Sequence, residues 1–255
     1  MRKTIAFVLV LALDMTTQTA KADFTFGTPA NLGARINTSA GDDPDCLSAD
    51  GLELYLDSDR PGGQGWDIWV ARRHANGDEW DEPQNLGPMV NSPSEDGIAS
   101  IAADGLTLYF YSNRSGGYGS FDIYMTTRAT RNDSWGMAVN LGSKINSAAV
   151  EDSPWISTDG LELYFNSMRS GGYGKADLWV STRATTSDSW GAPVNLGATV
   201  NSPYDEWCTW LSPDDLKLLF ASTRPGGFGG FDLWMAARPS TGSAWGPPPM
   251  WSTWK

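Results

Sequence analysis

Residues 157–179 read STDGLELYFNSMRSGGYGKADLW. Asp159-Gly160 is a turn dipeptide, and Leu161–Phe165 is a short run rich in Leu, Tyr and Phe. The Gly171-Gly172 loop then leads into Asp177-Leu178-Trp179. Two such runs, bounded by Gly, Asn and Asp, are strands joined in a hairpin.

The same hairpin occurs four times. Its first arm recurs at Leu52–Leu56, Leu106–Phe110 and Leu216–Phe220, and its second begins at Asp67, Asp122 and Asp232. Asn-Leu-Gly opens each unit at Asn31, Asn85, Asn140 and Asn195, with spacings of 54, 55 and 55 residues. The second and third units are identical at 29 of 55 positions. No stretch keeps a helical period. A strand-only unit of this length, with four strands each, predicts an all-β, four-bladed β-propeller of four-stranded antiparallel blades. The units are residues 31–84, 85–139, 140–194 and 195–249, within one domain spanning 23–255.

The ends predict closure. Phe26 lies five residues before Asn31, as Trp80 lies five before Asn85. Residues 24–33 therefore carry an extra copy of the outermost strand, which would overlap the last blade and close the ring. Trp245 offers a competing copy of that strand.

Ser157–Phe165 and Gly171–Trp179 resemble the WD-repeat-like propeller repeat of TolB-type periplasmic proteins. The resemblance spans residues 26–245. It implies an exported propeller with envelope-binding roles, and no fixed activity.

Composition narrows the partners. Hydrophobic residues make up 40% and charged residues 19%, a globular balance. The net charge of −12 is the wrong sign for nucleic acid or an anionic membrane surface. Arg2 and Lys3, an apolar run from Ile5 to Leu13, and Ala20-Lys21-Ala22 read as a cleaved signal over residues 1–22. Its loss takes the charge from −12 to −14. No later segment is apolar enough to span a bilayer. The expected location is periplasmic or secreted, without membrane insertion.

Strand alternation puts the inter-blade links and the Gly-Gly loops on one face, here called the link face. The Asp turns lie on the other, the turn face. An acid recurs on the link face at Asp42, Asp96, Glu151 and Glu206, with Asp43, Asp45, Glu95, Asp152 and Asp205 beside them. One reading makes these acids strand caps. The other makes them a polar or cation site, which with Asn carbonyls would suit calcium, though no cofactor is required. Aromatics mark the same face unequally: Tyr118, Tyr173, Tyr204, Trp207, Trp155 and Trp210. Aromatic rings beside carboxylates suit sugars, while inter-blade packing is the other reading for Trp155 and Trp210.

Arg60, Arg114, Arg169 and Arg224 are expected to pair with Asp67, Asp122, Asp177 and Asp232 across the loops. The lone His74 falls in an expected turn on the opposite face, which removes a Ser-His-Asp triad from the link face, and a single His rules out a His-rich zinc site. Two functions stay open: a binding propeller for a carbohydrate or an envelope protein, or a carbohydrate-active enzyme using Glu151 and Glu206.

Cys46 and Cys208 fall in innermost strands of neighbouring blades. Their odd offsets from Asn37 and Asn201 point both side chains the same rotational way, which predicts two buried free thiols. A strand bulge would permit a bridge instead.

Overall fold

The computed structural model describes residues 28–249. Fifteen strands form four antiparallel sheets, arranged as a four-bladed β-propeller without helices among the described residues. Blade one holds β1 (Asp42–Leu47), β2 (Glu53–Ser58), β3 (Asp67–Arg72) and β4 (Gln84–Asn85). Blade two holds β5 (Asp96–Ile101), β6 (Thr107–Ser112), β7 (Asp122–Thr127) and β8 (Val139–Asn140). Blade three holds β9 (Glu151–Ile156), β10 (Glu162–Ser167), β11 (Asp177–Thr182) and β12 (Val194–Asn195). Blade four holds β13 (Glu206–Leu211), β14 (Lys217–Ser222) and β15 (Asp232–Ala237).

The blades bury their faces against one another, as the period requires. Alternate residues of each middle strand face opposite seams. Tyr55, Ile68 and Val70 of blade one meet Val90, Ile101, Leu108 and Trp135 of blade two. Tyr109 and Ile123 meet Ile145, Ile156, Leu163 and Trp190 at the second seam. Tyr164 and Leu178 meet Val200, Leu211, Leu218 and Trp245 at the third.

A tryptophan edge-packs on a tyrosine at each of these seams. Trp135 lies 6.4 Å from Tyr55, Trp190 6.1 Å from Tyr109, and Trp245 6.2 Å from Tyr164. Burying about 200 Å² of such a ring, at about 25 cal/mol per Å², yields on the order of 5 kcal/mol. Trp245 thus occupies the place of its counterparts.

The fourth sheet has three strands among the described residues. Of the expected closing segment, residues 24–27 lie outside the described residues, as does the expected signal, residues 1–22. Residues 28–33 carry no strand, including Ala30 and Asn31, the counterparts of β4, β8 and β12.

Every inner strand is bulged. Register slips between Pro44 and Cys46, Gly97 and Ser100, Asp152 and Trp155, and Trp207 and Trp210. Ile98, Ser153 and Cys208 adopt φ of 42°, 49° and 53° at equivalent positions. Such values are costly, above all for a β-branched residue. Proline cannot adopt them, so at Pro44 the ladder skips Asp45 instead.

Both cysteines are free. The bulge breaks simple strand parity, so the reason differs from that offset. Cys46 is buried in the first seam, whereas Cys208 is exposed and adjoins Ser153 of blade three.

Candidate functional site

The four regular acids belong to the framework. Asp42, Asp96, Glu151 and Glu206 begin the inner strands, and the last three have no exposed surface. Each is capped from the preceding link: Ser92 N donates to Asp96 at 2.6 Å, Ser147 N to Glu151 at 2.6 Å, and Ser202 N to Glu206 at 3.0 Å. Thr38 N donates to Asp42 at 2.6 Å.

A guanidinium closes each network. Arg60 meets Asp42 at 2.6 Å, Arg114 meets Asp96 at 2.6 Å, Arg169 meets Glu151 at 3.1 Å, and Arg224 meets Glu206 at 2.9 Å. The arginines therefore do not pair with the loop aspartates. They reach back to the link because the same Nη2 also donates to the carbonyls of Ile36, Val90, Ile145 and Val200. Burial raises the Asp42 carboxyl, but Ser58, Thr38 and Arg60 outweigh it and hold the group below its usual range.

Asp67, Asp122, Asp177 and Asp232 hold the Gly-Gly loops instead. Tyr118 N and Gly119 N donate to Asp122 at 2.6 and 3.0 Å, and Tyr173 N and Gly174 N donate to Asp177 at 2.5 and 3.0 Å. Asn85, Asn140 and Asn195 tie three of these carboxylates to the next link at 2.8, 3.0 and 3.1 Å. The loop tips are thus set on a rigid base.

Those tips are open. Tyr118 and Tyr173 are each 51% exposed and Phe228 is 85% exposed. Tyr204, at 45%, stands next to the Tyr173 loop. A Cβ on Gly174 would come within 1.9 Å of the Tyr204 carbonyl, so only glycine lets the two segments lie together. Phe231 is exposed on the same loop as Phe228, and sequence reading passed over it. An open depression of about 360 Å³ between blades one and two is lined by Gln64, Trp66, Pro93, Ser94, Glu95 and Asn113.

Around the axis lies a second group. Asp43, Asp45 and Asp57 of blade one, Tyr111 of blade two, Asp152 of blade three and Cys208 of blade four lie within one another's electrostatic field. Asp45 and Asp57 share a hydrogen bond. Burial, then the Asp57 charge, pushes Asp45 well above the usual carboxylate range. Burial pushes Asp57 up to about 6, with the charge of Asp43 adding and the Asp45 bond opposing. Asp57 is absent from the repeat pattern, since Tyr111, Asn166 and Ala221 hold its place. A carboxylate at a repeat-breaking position was the available signal.

Two tryptophans of the inner strands pack beside this group. Trp155 and Trp210 sit 6.2 Å apart at 60°. Trp155 also packs against the cores of both the first and the third seams, so it reaches across the axis. These two rings are half-buried packing residues. Trp207 and Asp205 are half-buried nearer the link face. Among the described residues, no three His, Cys, Asp or Glu side chains are arranged to hold a metal ion. Among the same residues, no helix is long and apolar enough to cross a membrane.

No protein-family model matches the chain, and no curated protein matches it. Solved structures do share the fold. A putative TolB from Agrobacterium tumefaciens aligns with TM-score 0.52 and 21% identity, over 75% of this chain and 59% of its own. TolB from Acinetobacter baumannii gives 0.50 and 15%, over 76% of this chain and 40% of its own. The catalytic domain of a Coprinopsis cinerea GH62 α-L-arabinofuranosidase gives 0.51 and 12%, over 88% and 72%. The chain thus spans 59% and 40% of the two TolB chains. At these identities the likeness is one of fold, a β-propeller similar to those of TolB and of a glycoside hydrolase.

Proposed function

We propose that this chain is an exported binding propeller that recognises a glycan or a cell-envelope partner on its link face. The observation that carries this reading is the set of half-exposed aromatic tips, Tyr118, Tyr173 and Tyr204, on loops anchored by buried carboxylates. Rings held open on a stiff scaffold bind with little ordering cost. Asp205 and Trp207 stand beside Tyr204, and the half-buried Asp205 offers an acceptor to hydroxyl or ammonium donors. The periplasm or the exterior fits residues 1–22 as a cleaved signal.

The pair named for the enzyme reading is engaged in the framework. Glu151 and Glu206 have no exposed surface and are engaged with Arg169 and Arg224. Asp45 and Asp57 touch through a hydrogen bond, whereas glycosidase carboxylates stand about 5 Å apart or more. A glycan array that includes peptidoglycan fragments, probed with and without calcium, tests the proposal. Selective binding without released product supports it. Turnover on any polysaccharide of a parallel panel, or no retention of any glycan or envelope protein, overturns it.

A further inference from the structure

Blade one departs from the repeat at its Gly-Gly loop. Arg60 and Asp67 are seven positions apart, while Arg114 and Asp122, Arg169 and Asp177, and Arg224 and Asp232 are eight apart. The missing residue changes how the loop meets the next blade. A Cβ on Gly119 would strike the Ala149 carbonyl, and one on Gly174 would strike the Tyr204 carbonyl, so those loops lie directly on the following link. A Cβ on Gly65, their counterpart, would meet nothing within 4 Å. The depression of about 360 Å³ lies at this first seam, bounded by the shortened loop and by Pro93 and Ser94 of the link. Its volume falls within the range of small-ligand sites, about 300–1,000 Å³.

Its walls are held in place. The half-buried Trp66 ring lies against Gly41, where a Cβ would strike it, and the Trp66 carbonyl accepts from Asp96 N at 2.9 Å. Gln64 N donates to Asp67 at 3.0 Å, and Asn113 Oδ1 accepts from Glu95 N at 2.8 Å. Glu95 stands where blades one and three carry Gly41 and Val150. Its carboxylate is half-buried and makes no ion pair among the described residues. None of the residues lining the depression is cationic.

We infer, resting on the glycan reading of the link face, that this depression is a subsite for a sugar unit carrying a free amine. The ammonium pairs with Glu95, which has no other counter-charge, and partial burial strengthens that attraction over its value in open water. The apolar C–H face of the sugar lies on Trp66, and its hydroxyls bond Gln64, Ser94 and Asn113. An anionic sugar finds no cation here and meets a chain of net charge −12.

Calorimetric titration of the full-length chain with a fully deacetylated chitosan tetramer tests this, in mildly acidic buffer at about 0.15 M salt, where long-range attraction is screened. The N-acetylated tetramer, which lacks the charge, should bind about tenfold more weakly or worse. Glu95→Gln should cost a similar factor, and Ser94→Tyr should abolish binding. Ser94→Tyr fills the gap with the residue type that Tyr204 supplies at the counterpart position, and Glu95→Gln keeps the shape and the backbone bond to Asn113. Both should keep the thermal midpoint; if Ser94→Tyr does not fold, Glu95→Gln decides, since it adds no bulk. Equal affinity for the two tetramers, no binding of either, or a folded variant that binds as wild type does overturns the inference. If the glycan array retains other sugars while the chitosan tetramer fails, this subsite alone is wrong. An array that retains nothing, and no envelope protein, removes the recognition face as well.

Discussion

Arg224 holds Glu206 at 2.9 Å while the carboxylate has no exposed surface. Ser222 and Ser202 complete its shell at 2.9 and 2.5 Å. A position that looks like a ligand acid in the repeat is thus the clamp that ties each link to its inner strand. Removing one partner of a buried ion pair leaves the other charge uncompensated, at a cost of about 3–5 kcal/mol. Glu206→Ala and Arg224→Ala should each lower the thermal midpoint by many degrees. A midpoint within a degree or two of wild type would return Glu206 to the list of open acids.

Trp135→Ala removes a ring that packs on Tyr55 and lies under Arg128 at 4.4 Å. A buried Trp→Ala change costs about 3–5 kcal/mol. Urea unfolding should register that loss, without a selective change in ligand affinity relative to the remaining folded fraction.

The Asp45–Asp57 pair makes stability depend on pH. Asp57 is pushed up to about 6 from its ordinary 3.8. The folded state therefore binds this proton more tightly than the unfolded chain. That contribution is fully present below about pH 4 and is lost as pH rises through about 6. Asp43 and Asp45 raise or share the charge, and Tyr111 feels it. Asp57→Asn should gain on wild type from pH 4 to pH 7.5 by on the order of 3 kcal/mol, at 1.4 kcal/mol per unit. A difference that stays flat with pH would mean the pair does not share a proton.

Cys208 is exposed, yet burial of its surroundings and the charge of Asp152 push its thiol up to about 11. Only the thiolate reacts. At pH 7 a maleimide should label folded protein slowly, with the rate rising about tenfold per pH unit. Unfolded, unreduced protein should show two thiols. Fast labelling at pH 7 would contradict the environment described for Cys208.

The propeller was legible because its period is nearly constant and its apolar positions alternate. The four-fold acid was legible as a position and misleading as a site, since regularity in a repeat marks what every blade needs. Arg60 and its counterparts were assigned the nearest acid along the loop. The true partner lies 18 residues before it, at Asp42, because the hairpin brings the end of β2 beside the start of β1. The acidic group around the axis was half legible. Asp43, Asp45 and Asp152 stood out beside the regular acids, but Asp57 lies in a middle strand where alternation reads it as one more polar residue. The bulge that places Asp45 beside it is a slip of the ladder after Pro44, and no residue type announces where such a slip falls.

Binding of wild type and of a Tyr118→Ala/Tyr173→Ala double variant on one glycan array, peptidoglycan fragments included, tests the central claim most directly. Both tyrosines are half exposed and their loops are held through backbone N–H groups, so the variant keeps the fold and its thermal midpoint. Losing two stacking rings should weaken binding at least tenfold, about 1.4 kcal/mol. Undiminished binding by a correctly folded double variant would contradict the assignment of the link face as the recognition surface.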